Sequence, residues 1–194
     1  ARIRQAQQYA DSIDSATEML TRGDNGLCST EWLMGDLKRN EIALLTLGAG
    51  RSSLHRSSQN QWFEGAEGFY WSDNNTKNQA ARLRATAHRD GRPSAGAVYT
   101  PSKRDEVWLR KYHEHKGRID LAFARETLTI PEIVSAYGID AKYTDARLAS
   151  GLQTWASFGP PVGQIWLPTA KEARDHAGIR PLIHNPWTLL DVQP

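Results

Sequence analysis

A short helix with a marked start and a marked end is indicated at residues 129–137, and this feature constrains the fold more than any other in the sequence. Thr129 and Glu132 have the spacing of a capping box, in which two side chains satisfy free backbone N–H groups at the start of a helix. Gly138 follows and can adopt the left-handed conformation that ends many helices. The pattern therefore predicts one short helix between Thr129 and Tyr137.

A longer helix is predicted next, from Asp140 to about Phe158. Leu148, Leu152 and Trp155 recur at steps of four and three residues, which would place them on one helical face. Because such a face needs a partner, we expect these three side chains to be buried in one cluster with Trp108.

Other elements flank this pair of helices. A basic, aromatic helix is predicted from Pro101 to about His115, and a short apolar strand from Gly163 to Leu167, which Pro168 would end. A second capping box, formed by Thr169 and Glu172, then predicts the start of another short helix.

The order of these parts resembles the winged helix-turn-helix of DNA-binding domains over residues 100–167. The resemblance is to an arrangement of elements and points to no specific family. It implies that the helix after Gly138 docks in the groove of a duplex, with Arg147 reading a base edge and Lys142 on the same exposed face. An αα-hairpin that never touches DNA has the same local signals, and it remains an alternative.

Positive charge is concentrated next to this region. The chain has a net charge of +2, whereas Lys77 to Arg118 contains 11 basic and 4 acidic residues, a local balance of 11 − 4 = +7. Such a block is the footprint expected of phosphate binding, although two ordinary solvated helix faces would also produce it. The predicted nucleic-acid contacts are Lys103, Arg104, Arg110, Lys111, Lys142, Arg147, Arg82, Arg84 and Arg89.

The N-terminal third has helical periodicity. Ile3, Ala6, Ile13 and Leu20 fall near one helical face, so a helix is predicted there. The segment from Ser29 to Leu47 is predicted as one helix or as a helix followed by a strand, because periodicity cannot classify its short apolar run. Together the two segments predict a helical hairpin.

The predicted fold is mainly α with a minor α+β component. It consists of a helical hairpin at 1–48, an irregular aromatic and basic connector at 49–99, and a helix-turn-helix-like domain at 100–194 that ends in a tail. The connector contains Trp62, Phe63, Phe69, Tyr70 and Trp71, so it is not plain disorder. These aromatic side chains suit a local core, a protein interface or stacking on bases.

No catalytic motif is predicted. A single cysteine, Cys28, excludes an internal disulfide and a multi-cysteine zinc site. The segment 48–53 could form an anion-binding nest, but it lacks the ending of a P-loop. The pairs His55–Arg56 and His88–Arg89, and a Mg²⁺ site of Glu64, Glu67 and Asp73, leave a nuclease as an alternative without diagnostic spacing.

The sequence therefore predicts a nucleic-acid-binding protein, with duplex DNA favoured, and no cofactor or metal. The first alternative is a non-enzymatic subunit or assembly protein that binds a protein partner or a second copy of itself, and the second is a nuclease. With 39% hydrophobic residues and no run long enough to span a membrane, an intracellular protein is expected, either cytoplasmic or nucleoid-associated.

Overall fold

A computed structural model describes most of the chain. The described residues are 2–26, 29–48, 51–73, 75–85, 92, 95–134, 139–159, 165–183 and 185–192. They divide into two compact units, Ala1–Glu106 and Val107–Pro194, which we call unit 1 and unit 2. The regions predicted at 1–48 and 49–99 therefore share one unit.

Unit 1 is built around a three-stranded antiparallel sheet. Its strands are β1 (Thr30–Asp36), β2 (Glu41–Gly48) and β3 (Arg51–Arg56), and its helices are α1 (Arg2–Tyr9), α2 (Ile13–Thr21), α3 (Gln79–Ala85) and the start of α4 (Lys103–Glu114). Short 3₁₀ turns lie at Ser57–Gln59 and Ala95–Ala97. The strand order is β1-β2-β3, so β2 is central and β1 is an edge strand.

The central strand β2 is buried on both faces, which explains its nearly continuous apolar sequence. Trp32 of β1 pairs with Leu45, and Leu45 pairs in turn with Leu54 of β3. The helical hairpin covers this face, where Ala6, Leu20, Leu45 and Leu47 form a buried cluster. Ser12 caps α2 by accepting a hydrogen bond from the backbone N–H of Ser15, and so separates the hairpin into two helices.

The aromatic connector covers the opposite face of the same sheet. The His55 and Phe63 rings lie 6.3 Å apart, and the Thr76 hydroxyl donates a 2.7 Å hydrogen bond to Glu31 of β1. Gly48 lies so close to α3 that an added Cβ would be 3.3 Å from the Cβ of Ala81. The connector is thus part of the core of unit 1.

Unit 2 contains short helices and two small antiparallel sheets. Its elements are the rest of α4, α5 (Leu121–Thr127), β4 (Ile139–Tyr143), α6 (Ala146–Ser150), β5 (Gln153–Gly159), β6 (Ile165–Trp166), α7 (Ala170–Asp175), β7 (Leu182–Ile183) and β8 (Thr188–Asp191). One sheet has the order β4-β5-β8, and β6 pairs with β7.

The prediction of a mainly α fold is wrong. Of the described residues, 35% are helical and 24% lie in strands, with seven α-helices and eight strands, so the fold is α+β. The segment Ser29–Leu47 contains the antiparallel strands β1 and β2 and no helix. Its apolar residues fit a two-residue repeat as well as a helical one. The strand conformation forms because β1 and β2 pair with each other and apolar residues of both strands pack under the helical hairpin.

The helix predicted at 129–137 is absent from residues 129–134, and residues 135–138 lie outside the described part of the chain. A helix forms just before it, as α5, because Asp120 accepts a hydrogen bond from the backbone N–H of Phe123 and caps it. The Thr129 hydroxyl donates to the carbonyl of Glu126, at the end of α5, and does not start a new helix.

The long helix predicted at 140–158 is also wrong, because this segment forms β4, α6 and β5. Asp145 caps the short α6, and Leu152 ends it with a left-handed φ of 56°. Leu152 is exposed, so the predicted cluster with Leu148 and Trp155 does not form as expected. Trp155 stacks on Tyr143 of the neighbouring strand.

Three local predictions are confirmed. The basic helix predicted at 101–115 is α4, and the strand predicted at 163–167 appears as β6 within its described residues. The capping box of Thr169 and Glu172 starts α7, with both of its reciprocal hydrogen bonds present. The start of α7 is specified by residues close to it in sequence, whereas β6 also pairs with β7.

Leu152 offers a direct test of backbone strain in unit 2. Its side chain is 62% exposed, and its φ lies where only glycine is unstrained. We expect Leu152→Gly to raise the free energy of unfolding by about 0.5–1 kcal/mol, as relief of strain outweighs the added entropy of the unfolded chain. Urea denaturation measures this change. Phe158→Gly, also exposed but in regular β5, should lower the stability, and a loss in both variants would contradict the argument.

Candidate binding groove

The outer edge of β1 is open in unit 1. β1 pairs with β2 on one side, and no other described strand pairs with it. The backbone N–H and C=O groups of residues 31–36 that point away from β2 have no strand partner among the described residues, an arrangement that can accept another extended chain. β1 has seven residues, which corresponds to a strand of about 20 Å.

Two cavities follow this edge, between β1 and the helical hairpin. The larger has a volume of about 420 Å³, and the smaller, toward Thr30, about 210 Å³. Ile3, Leu20 and Trp32 line both of them, so the cavities adjoin. We call this feature the β1 groove.

The lining of the groove follows from strand periodicity. Trp32, Met34 and Asp36 lie at alternate positions of β1 and point toward the hairpin, where Trp32 and Met34 pack on the apolar cluster. Ile3 and Leu37, at the rim, are exposed. The groove thus has an apolar floor, an apolar rim and one buried carboxylate at its end.

Two buried polar atoms of the groove have no hydrogen-bond partner among the described residues. Asp36 Oδ1 accepts hydrogen bonds from the backbone N–H groups of Lys38 (2.9 Å) and Arg39 (3.1 Å), which fixes the turn after β1. Asp36 Oδ2 has no donor, and Trp32 Nε1 has no acceptor. Buried polar groups are nearly always hydrogen-bonded, so these two atoms mark a place where a partner is missing.

An ion-pair network holds the hairpin on the sheet beside the groove. Arg56 donates two hydrogen bonds to the buried Glu41 carboxylate, at 2.8 and 2.9 Å, and a third, at 2.5 Å, to Asp14 at the start of α2. The hydrogen bonds from Arg56 and Ser58 lower the pKa of Glu41 to about 2. This network gives the groove a fixed wall.

A second polar cluster lies where the aromatic connector meets the start of α4. Lys77 Nζ is 2.9 Å from Asp105 and 3.6 Å from Asp73, and the exposed fractions of these side chains are 8%, 2% and 1%. Trp71 Nε1 donates to Asp105, and the Ser102 hydroxyl donates to Asp73. The Lys77 ammonium also lies 4.7 Å from the centre of the Trp71 ring.

The charges of this second cluster are enclosed. Burial raises the pKa of Asp73, whereas for Asp105 the effect of burial is outweighed by hydrogen bonds from Ser102, Lys77 and Trp71, which lower its pKa. The three charged side chains of this cluster interact with one another and with Trp71 and Ser102, all within unit 1. We therefore assign this cluster the structural role of fixing the connector to α4.

The predicted nucleic-acid contacts are dispersed over both units. Lys103 and Arg110 pair with Glu106 and Glu114, each at 3.8 Å, along the exposed face of α4. That face therefore alternates in charge. Arg104 is a half-buried residue of α4, Lys142 and Arg147 are exposed on β4 and α6, and the Arg84 side chain and Arg89 lie outside the described part.

Two of the remaining predicted contacts are engaged inside the protein. Lys111 donates a 2.7 Å hydrogen bond to Glu126 of α5 and also pairs with Glu114. The Arg82 guanidinium donates to the carbonyl of Gly96 and to the side chain of Asn75. Lys111 and Arg82 therefore have partners among the described residues, whereas the role of the whole set in nucleic-acid binding stays a prediction.

Among the described residues, the nuclease alternative finds no metal site. Within the described ranges, no three His, Cys, Asp or Glu side chains are grouped closely enough to hold a metal ion. Asp73 belongs to the enclosed cluster, and Arg56 is bound to Glu41. Cys28, His88–Arg89 and residues 49–50 of the proposed nest lie outside the described part of the chain.

Unit 2 exposes many apolar side chains on its strands and in the segments around them. The exposed residues are Phe158, Ile165, Leu167, Leu182, Ile183, Leu189, Leu190 and Val192. A cavity of about 310 Å³ lies beside Phe158, Pro186 and Leu190. Exposed apolar surface of this extent is typical of proteins that bind other proteins.

Sequence reasoning did not find the β1 groove. The signal was present in the alternation of Trp32, Met34 and Asp36, which a strand places on one face. It was missed because the segment was assigned to a helix. That β1 lies at an edge depends on the order of strands in the sheet, which this alternation does not reveal.

Comparison of the chain with protein-family models, with curated proteins and with solved structures gives no match. Among the described residues, none of the helices combines the length and the apolar character needed to cross a lipid bilayer.

Proposed function

We propose that this protein is a non-enzymatic interaction protein and that unit 1 binds an extended polypeptide segment of a partner in the β1 groove. The segment would add a strand to the free edge of β1. Its main chain would hydrogen-bond to β1, and alternate side chains would enter the groove.

The coincidence of an open strand edge with an apolar groove carries this proposal. An open edge alone invites nonspecific pairing, and proteins commonly block it with charged side chains, proline or a covering element. Here the edge is flanked by the exposed apolar side chains of Ile3, Leu33 and Leu37. The two adjoining cavities provide space for the side chains of an added strand.

Other observations support an interaction protein over the alternatives. The exposed face of α4 alternates in charge, and Lys111 pairs with two glutamates, so neighbouring carboxylates offset part of the positive charge of α4. The exposed strands of unit 2 offer further apolar surface for a partner. Nucleic-acid binding stays a prediction, and duplex binding at two salt concentrations tests it separately.

The proposal is tested with an array of extended heptapeptides that alternate apolar residues with threonine. We expect a subset to bind and to slow amide hydrogen exchange at Thr30–Asp36, because strand addition protects the outward N–H groups of β1. Exchange is read by mass spectrometry. Failure of every peptide to protect β1 would contradict the proposal.

A matched pair of variants tests the groove itself. Ile3 lines both cavities, whereas Tyr9 is exposed on the same helix and lines neither. We expect Ile3→Gln to weaken peptide binding about 10-fold, as apolar contact is lost, and Tyr9→Gln to leave it unchanged. Fluorescence anisotropy measures the dissociation constants, and equal effects of the two changes would place the binding site elsewhere.

A further inference from the structure

Asp36 is a buried carboxylate at this end of the groove, and one of its oxygens accepts no hydrogen bond from the described residues. Its neighbour across the strands, Glu41, is satisfied by Arg56 and Ser58. Arg39, next along the turn, directs its guanidinium to Asp14 at 3.4 Å. Within the described part of the chain, Asp36 Oδ2 therefore has no donor, although the residue is more than nine-tenths buried.

Trp32 lies on the same face of β1 as Asp36 and has an unpaired donor instead of an unpaired acceptor. Its Nε1–H is a donor with no acceptor, and its side chain lines both cavities of the groove. One occupant would thus have to provide an acceptor near Trp32 and a donor near Asp36. An extended peptide has a backbone carbonyl for the first, and a side chain can supply the second.

We propose that the segment bound in the β1 groove carries a lysine or arginine side chain that pairs with Asp36. This inference rests on the proposed function of the groove. A cationic group fits better than a neutral amide or hydroxyl, because a charge-assisted hydrogen bond to a buried carboxylate is about twice as strong as a neutral one. The partner segment is therefore amphipathic, with apolar residues and one basic residue on the face toward the groove.

The surrounding charges agree with this assignment. The other charged side chains that line the larger cavity are Asp11 and Lys38, and both are exposed. Their charges offset each other, so the charge of Asp36 is not balanced by another lining residue. Two serine hydroxyls, of Ser12 and Ser15, already donate to Asp11. The buried acceptor that remains for a basic side chain is Asp36 Oδ2.

The test pairs one change in the protein with one in the peptide. Peptides from the array that protect β1 are made in two forms, with lysine or with its uncharged analogue norleucine, at each position in turn. We expect the protein to bind at least one lysine form about 10-fold more tightly than its norleucine form. Asp36→Asn, which keeps the oxygen that fixes the turn, should remove that preference.

Glu18→Gln is the control variant, since it removes one negative charge from an exposed site on α2 that lines neither cavity. It should leave the lysine preference unchanged. Thermal denaturation checks that Asp36→Asn remains folded. If the lysine and norleucine forms bind equally at all positions, or if Asp36→Asn keeps the preference for lysine, this inference is wrong and the groove proposal stands. If no peptide protects β1, both the inference and the groove proposal are wrong.

Discussion

Replacing Lys77 by methionine is expected to lower the free energy of unfolding by about 3–5 kcal/mol at neutral pH. Lys77 lies between Asp73 and Asp105, and all three side chains are enclosed. Methionine has a similar length and no charge, so the change leaves two buried carboxylates without their shared cation. The loss arises from this uncompensated charge.

Urea denaturation measures the effect, with Lys103→Met as control. Lys103 is exposed on α4 and pairs at 3.8 Å with Glu106, so its loss should cost less than about 0.5 kcal/mol. The loss of stability caused by Lys77→Met should shrink as the pH falls below neutral. Burial raises the folded-state pKa of Asp73, so the folded protein binds this proton more tightly and protonation relieves the repulsion. A loss that grows at acid pH would contradict this account.

Arg56→Met is expected to have an effect of similar size, about 3–5 kcal/mol. Arg56 donates two hydrogen bonds to Glu41, whose side chain is only 4% exposed, and one to Asp14. Its removal leaves the buried Glu41 carboxylate without its cationic partner. It also removes the ion pair that holds the start of α2 to the sheet. Arg39→Met is the control, because Arg39 also pairs with Asp14 but is exposed.

The destabilisation caused by Arg56→Met should also shrink at acid pH, here because the folded-state pKa of Glu41 is lowered. Glu41 has a folded-state pKa of about 2, below its ordinary value of 4.5. Its contribution to wild-type stability is therefore complete above the ordinary value and is lost as the pH falls toward about 2. Denaturation curves at about pH 7 and about pH 3 should show this loss in the wild type and a much smaller one in Arg56→Met. Parallel curves would contradict the assigned role of Arg56.

The candidate site was predictable only in part. Trp32 lies in the segment Ser29–Leu47, whose start was predicted as a helix. Asp36 attracted no attention, because an isolated acidic residue has no spacing that indicates a site. Its meaning comes from burial and from an unused oxygen. Similarly, Lys111 and Arg82 look like phosphate contacts in a basic stretch until Glu126 and Gly96 are placed beside them.

The errors in the fold have one physical cause. Leu148, Leu152 and Trp155 fit a helical repeat, but a segment of this length is also compatible with strand, helix and strand. Pairing between residues distant in sequence determines that this segment contains strands, and Ala156 of β5, for example, pairs with Thr188 of β8. Cross-strand contacts of this kind outweigh the small differences in local propensity.

The sequence by itself determined the elements whose signals are local: the box of Thr169 and Glu172 that starts α7, and the helix α4. A cap is satisfied within one helical turn, so no distant residue is needed to specify it. Only the tertiary structure decided that the aromatic connector covers the sheet of unit 1, that β1 lies at an edge, and that Asp36 keeps an unpaired oxygen. Burial and pairing are properties of the assembled chain, because each depends on residues that folding brings together.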